Sequence, residues 1–154
     1  MAAYRGRPYA VASHFAPDHL EEAAETYRAT FRPSQWLEKP HFMMAVGVCA
    51  AQTDEEAVFL RSSQVLAFAR LRLGNPGKLP RPTHDLSEVP EAMLREVGHV
   101  LGCSAVGSPA TVRDRLAALI ARYRPDEVMV TGMIHDHGKR LASHRIAAEV
   151  LRDL

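Results

Sequence analysis

The side chains suited to chemistry in this chain stand mostly at the ends of apolar runs. His14 follows Pro8-Tyr9-Ala10-Val11-Ala12-Ser13. An imidazole there can hydrogen-bond a ligand, move a proton near neutral pH, or merely cap nearby backbone. Thr131 ends the run Val128-Met129-Val130 and offers a hydroxyl, although strand propensity alone accounts for a β-branched residue there. Lys78 and Arg81 lie among prolines and glycines, where they can meet a phosphate or another anionic substrate, or simply stay solvated. Gly107-Ser108-Pro109 can bind an anion at a helix N-terminus, but without a glycine-rich run it reads more simply as a helix cap. His135, Asp136, His137 and His144 invite a metal reading that their spacing does not support. His137 and His144 are two helical turns apart, and Asp136 suits an N-cap, so no metal is expected. Cys49 and Cys103 sit in apolar or small-residue settings and read as buried, inert thiols. Glycine-rich dinucleotide fingerprints, P-loops and nucleophile elbows are all missing from the sequence.

Bulk properties narrow the class. The chain has 154 residues, enough for one domain with a real core, and 19 Lys plus Arg balance 18 Asp plus Glu. That balance gives no argument for nucleic acid. No apolar run approaches the roughly 20 residues of a membrane helix, and no signal-peptide core is present, so the expectation is a cytoplasmic protein without a membrane partner.

The elements that must position these groups follow from pattern. Ala2 to Arg7 reads as the frayed end of a helix with Gly6 as its stop, and a strand follows from Pro8. Pro17 and Asp18 open a helix whose face is Leu20, Ala23, Ala24, Tyr27 and Phe31, and Pro33 ends it. Phe42 to Ala51 carries no charge and no alternation, which suits a strand buried on both faces. Thr53-Asp54-Glu55-Glu56 is a capping box for a helix running to about Leu73, closed by Gly74. Residues 74–90 hold too many breakers for regular structure and form a long, lid-like loop. A short helix from about Pro90 to Leu101 follows, then a short extended piece at Ala105-Val106. Ser108 caps the next helix with Pro109 as its first residue, and Val112, Leu116, Leu119 and Ile120 form its apolar face. A strand from Val128 to Met133 and a helix from about Gly138 to Asp153 complete the chain. Strands separated by helices run parallel through right-handed crossovers. Three main strands cannot close a barrel, and their exposed edges call for a partner or a missing half.

Four strings, in order and at plausible spacing, resemble the luciferase-like flavin-dependent monooxygenase family. They are Pro8 to Pro17; Phe42 to Ala51 running into Thr53-Asp54-Glu55-Glu56-Ala57; Cys103 to Pro109; and Asp126 to Thr131 with Asp136-His137. The resemblance covers essentially this whole chain but only the C-terminal half of the family. It implies an α/β fold: part of a (β/α)8 TIM barrel, about the last three β/α units, with parallel strands and covering helices in a single domain over residues 1–154.

The implied activity is oxidation of an aldehyde or another small organic substrate by reduced FMN and molecular oxygen. The FMN would be reduced by a separate reductase. The deazaflavin coenzyme F420, supporting hydride transfer, is the alternative cofactor, and a non-catalytic α/β half-barrel that self-associates is the alternative role. Barrel sites lie at the C-terminal ends of strands. The resemblance therefore places Ser13, His14 and Thr131 against the flavin, with His14 as the catalytic candidate, and Lys78 and Arg81 on a substrate lid. It also implies a homo-oligomer, or a missing N-terminal half, as partner.

Overall fold

The computed structural model describes residues 1–14 and 18–154. The start of the first helix at Pro17 lies outside them. The elements are β1 (Tyr9–Val11), α1 (Leu20–Thr30), β2 (Phe42–Ala50), α2 (Asp54–Arg72), α3 (Glu91–Val100), β3 (Ser104–Gly107), α4 (Pro109–Tyr123), β4 (Glu127–Thr131) and α5 (His137–Arg152). Ahead of β1 a single 3-10 turn, Ala3–Arg5, closes on Gly6. Gly6 adopts φ +56°, and an added Cβ would run into Ser34, whose hydroxyl donates to the Gly6 carbonyl at 2.8 Å.

All four strands are parallel, and β2 is the hub. Met43 and Met44 pair with both β1 and β4, so those two strands lie on opposite edges of β2. Gly47 pairs with both β3 and β4, so β3 shares the edge held by β1, further along. The extended piece expected at Ala105-Val106 is thus a full fourth strand. The sheet is a half-barrel in extent, an α/β layer of parallel strands with covering helices.

Its order differs from four successive barrel strands, in which β4 would flank β3. Here β4 takes the second edge of β2, which closes the hub's hydrogen bonding and buries Val128 and Val130 against the core. The crossover rule then sets the faces. The connections from β1 to β2 and from β3 to β4 step the same way across the sheet, and α1, α4 and α5 share one face. There Leu20, Tyr27, Leu116, Ile146 and Val150 pack on Phe42, Met44, Val46 and Val48. The step from β2 to β3 reverses, and α2 lies on the opposite face, with Ala57 and Leu60 against Cys49 and Ala51.

The helix starts follow local chemistry. The Thr53 hydroxyl accepts from the Glu56 N–H at 3.2 Å, and the Glu56 carboxylate meets Lys139 and also reaches back to the Gln52 backbone. Ser108 caps α4 and Asp136 caps α5, the latter through Lys139 N–H at 2.8 Å. The 74–90 loop packs onto α2: Thr83 N–H donates to Ser62 Oγ at 2.8 Å, and His84 stacks on Phe59 at 4.5 Å. No helix among the described residues is long and apolar enough to cross a membrane.

Both cysteines are buried in this core. Burial pushes the Cys49 thiol from its ordinary 9.0 up to about 11, and it pushes Cys103 up as well. Because the thiolate is the reactive form, both should react with a disulfide reagent at pH 8 only on unfolding. Counting released thiolate with and without denaturant checks this, and fast labelling of the native chain would overturn it. The folded-state pKa is raised, so the contribution to stability is intact below pH 9 and is lost as pH rises toward 11.

Candidate functional site

Parallel strands bring all four C-terminal ends to one end of the sheet, and β1 decides which of its side chains a ligand can meet. Successive residues of a strand point to opposite faces. Tyr9 and Val11 pack with the core, and Ser13 follows them, fully buried. Its hydroxyl donates to the Ala45 carbonyl at 2.7 Å, in the gap on the β2 edge between the end of β1 and the start of β3. Cys103 Sγ approaches the same carbonyl at 3.8 Å. Ser13 thus ties β1 to β2 from within the core. Ala10, Ala12 and His14 emerge on the other face.

On that face lies a shallow cavity of about 250 Å³, lined by Ala10, Ala12, His14, Met43, Ala45 and Met129, with Val11 at its margin. Three alanines leave its floor open, and two methionines supply polarizable, adaptable walls. His14 stands at the strand-end side, half-buried. Burial holds its pKa below the ordinary 6.5, so the ring is neutral at pH 7 and able to donate at one nitrogen and accept at the other.

Thr131 shares this face. It pairs with Gly47, one step of the alternation beyond the Met129–Ala45 pair, so its hydroxyl lies further toward the strand end than the cavity walls. His14 and Thr131 are therefore on one face, from opposite edges of β2, whereas Ser13 is not with them.

The loop residues are placed elsewhere. Lys78 is exposed, and Arg81 lines a separate groove with Arg70, Asp85 and Glu88, away from His14. At the β3 end, the helix N-terminus weighed as an anion site is filled by the protein's own carboxylate. Ser108 N–H donates to Asp54 Oδ1 at 2.6 Å, and this bond, with further ones from Ser108 and Thr111, lowers the Asp54 pKa. No group of three or more His, Cys, Asp or Glu able to hold a metal occurs among the described residues. His137 instead contacts Arg140 at 2.8 Å.

Sequence reasoning singled out the polar residues and passed over Ala10, Ala12, Met43, Ala45 and Met129, which make the cavity. Alternation in β1 was the available signal, since it separates Ser13 from His14 before any coordinates are known.

The comparisons agree with this architecture. A relative from Escherichia coli K12, named luciferase-like monooxygenase, is 40% identical over 155 residues, covering 100% of this chain and 46% of its own length. The crystal structure of apo-MsnO8 superposes with a TM-score of 0.79 at 33% identity, over 98% of this chain and 46% of that one. A riboflavin lyase solved with modified FMN and riboflavin shares the fold at a TM-score of 0.55 and 20% identity, over 99% of this chain and 40% of that one. The chain spans about half the length of the relatives it matches. Residues 1–125 fit the description of the luciferase-like monooxygenases as a family, and with the parallel half-barrel and its strand-end cavity already in place, the chain belongs to that family.

Proposed function

We propose that this chain forms one side of the active site of a flavin-dependent oxidoreductase, acting with reduced FMN and molecular oxygen on a small organic substrate. The observation that carries the reading is the cavity above β1, β2 and β4: apolar, floored by alanines, and edged by a neutral His14.

The fit to a flavin is partial and specific. Small side chains on an exposed sheet face suit the flat apolar ring, and Met43 and Met129 suit its faces. Among the described residues no cationic side chain lines the cavity, so the FMN phosphate would be held by groups outside this wall. When bound, reduced FMN would supply the electrons and the oxygen-activating chemistry.

The protein groups do the remainder. Ala10, Ala12, Met43, Ala45 and Met129 exclude water from one side of the ring. His14 accepts or returns a proton at a ring nitrogen, and Thr131 donates a hydrogen bond further along the same face. The open side of the cavity is closed by a partner, either the N-terminal half of such a barrel or a second copy of this chain.

Titration with FMN, followed by fluorescence quenching with size-exclusion in parallel, tests the reading. The chain is measured alone and then mixed with the N-terminal half of the Escherichia coli relative. Saturable micromolar quenching is expected in the assembled species and little in the monomer. Absence of binding in both, with both components folded, sinks the flavin reading and leaves a non-catalytic module. Replacing FMN by coenzyme F420 in the same titration separates the oxygen-using reading from hydride transfer.

A further inference from the structure

The outer edge of β3 is met from both faces of the sheet at once, by α2 from one and α4 from the other. Between them, with the end of α3 as a third wall, lies a cavity of about 370 Å³. Arg61, Arg115, Ser104, Val106 and the glycines Gly98 and Gly102 line it, and among the described residues no carboxylate does. Arg61 reaches in from α2. Its guanidinium donates to Gln64 Oε1 at 2.5 Å, Ser104 Oγ at 3.2 Å and the Leu101 carbonyl at 3.3 Å.

All three acceptors are neutral. The arginines in ion pairs among the described residues are Arg70, Arg72, Arg95, Arg113 and Arg122, and neither arginine of this cavity is one of them. Burial disfavours the Arg61 charge, and its lowered pKa reflects that cost.

The backbone contributes as well. Gly47 N–H donates to the Cys103 carbonyl and Ala51 N–H to the Gly107 carbonyl, each at 3.1 Å, so the odd-numbered residues of β3 turn toward β2. The peptide groups of Ser104 and Val106 turn outward. Ser104 N–H is already used by Gly102 O at 2.9 Å, which leaves the Val106 amide as a donor on the cavity side. Capping of α3 through Leu101 accounts for one Arg61 N–H. It accounts for neither Arg115 nor the space between the two cations.

We infer that this cavity binds a small oxyanion, the phosphate of a phosphate monoester or free inorganic phosphate. Arg61, Arg115 and the Val106 amide hold it through charge-assisted hydrogen bonds, while Ser104, whose hydroxyl donates to the Leu101 carbonyl at 2.7 Å and accepts from Arg61, orients the guanidinium. The inference does not rest on the flavin reading, because this cavity is separate from the one beside His14.

Inorganic phosphate titrated into the chain by calorimetry, at constant ionic strength set with chloride, is the test. Saturable binding is expected, weakened about tenfold in Arg115→Gln, which removes one charged partner from an exposed position. The unfolding midpoint without phosphate should not move in that variant, so a lost fold cannot imitate a lost site. Binding no different from chloride, or an Arg115→Gln variant that binds like the parent, would overturn the inference and leave Arg61 as a helix cap.

Competition identifies the source of the anion. FMN displacing phosphate while riboflavin does not would assign the site to the flavin's phosphate. Phosphate binding indifferent to FMN would assign it to a free anion or another phosphate monoester.

Discussion

Replacing Phe42 by alanine is expected to cost about 3–5 kcal/mol of stability, read as a fall in the urea midpoint at unchanged slope. Phe42 is fully buried at the first position of β2, where three elements meet. Its ring stacks on Tyr9 of β1, with centroids 5.8 Å apart, and the Arg28 guanidinium of α1 lies 5.2 Å from its centroid. Its backbone is clamped on both sides by the residue ahead of β4. Phe42 N–H donates to Asp126 Oδ2 at 2.7 Å, and Asp126 N–H donates to the Phe42 carbonyl at 2.8 Å.

Truncation leaves the clamp but removes the ring that fills the corner, and the stiff strand framework cannot collapse into the gap. A domain of this size has about 5–15 kcal/mol in hand, so the loss is a large share of the total. Phe42→Leu, which keeps most of the volume, should cost roughly 1 kcal/mol. Equal losses in the two variants would mean that the corner is not packed as described.

The same residue shows what a sequence can and cannot say. The uncharged run from Phe42 reads as a doubly buried strand from composition alone, and it is one. Caps are equally legible because their partners are three residues away: Thr53 with Glu56, Ser108 with Thr111, Asp136 with Lys139.

The edge that β4 occupies is not legible. Strand order depends on which edges remain unsatisfied after the other strands have paired, and that is a property of the whole sheet. β3 is hard to read for a related reason. Four residues including a terminal glycine carry little local strand signal, and their pairing to Gly47–Ala50 is what makes them a strand.

The candidate site divides along a similar line. His14 and Thr131 stand out in the sequence as chemically distinctive side chains at strand ends, and in the structure they share a face. The resemblance sets Ser13 beside His14, whereas the period-two alternation of a strand places neighbours on opposite sides. Alanines and methionines went unremarked because a cavity floor is made by what is small or adaptable, and neither announces itself in a list of functional groups. Arg61 lies inside a helical pattern, where an arginine reads as solvated surface. Only the approach of α2 to the β3 edge turns it inward.

Gly107→Val should be nearly as damaging as Phe42→Ala, through backbone geometry in place of volume. Gly107 ends β3 with φ +148°, a conformation that side chains with a Cβ rarely adopt. An added Cβ would lie 2.5 Å from Asp54 Oδ1 and 2.6 Å from Thr111 Cγ2. Those atoms cannot move aside cheaply. Asp54 Oδ1 is the acceptor for Ser108 N–H at 2.6 Å, and Thr111 stands in the first turn of α4.

The substitution therefore adds backbone strain and displaces the carboxylate that satisfies the start of α4. The two effects together should cost about 3 kcal/mol or more. Asp54→Ala removes the carboxylate without straining the strand, and it should cost less than half as much. Urea unfolding of the two single variants and of the double variant separates the contributions. If clash with Asp54 dominates, the double variant recovers part of the Gly107→Val loss. If strain dominates, the losses add, because the φ requirement persists with or without the carboxylate. A Gly107→Val protein as stable as the parent would mean that the β3 end is free to relax, and the strand-end geometry described for this face would then be wrong.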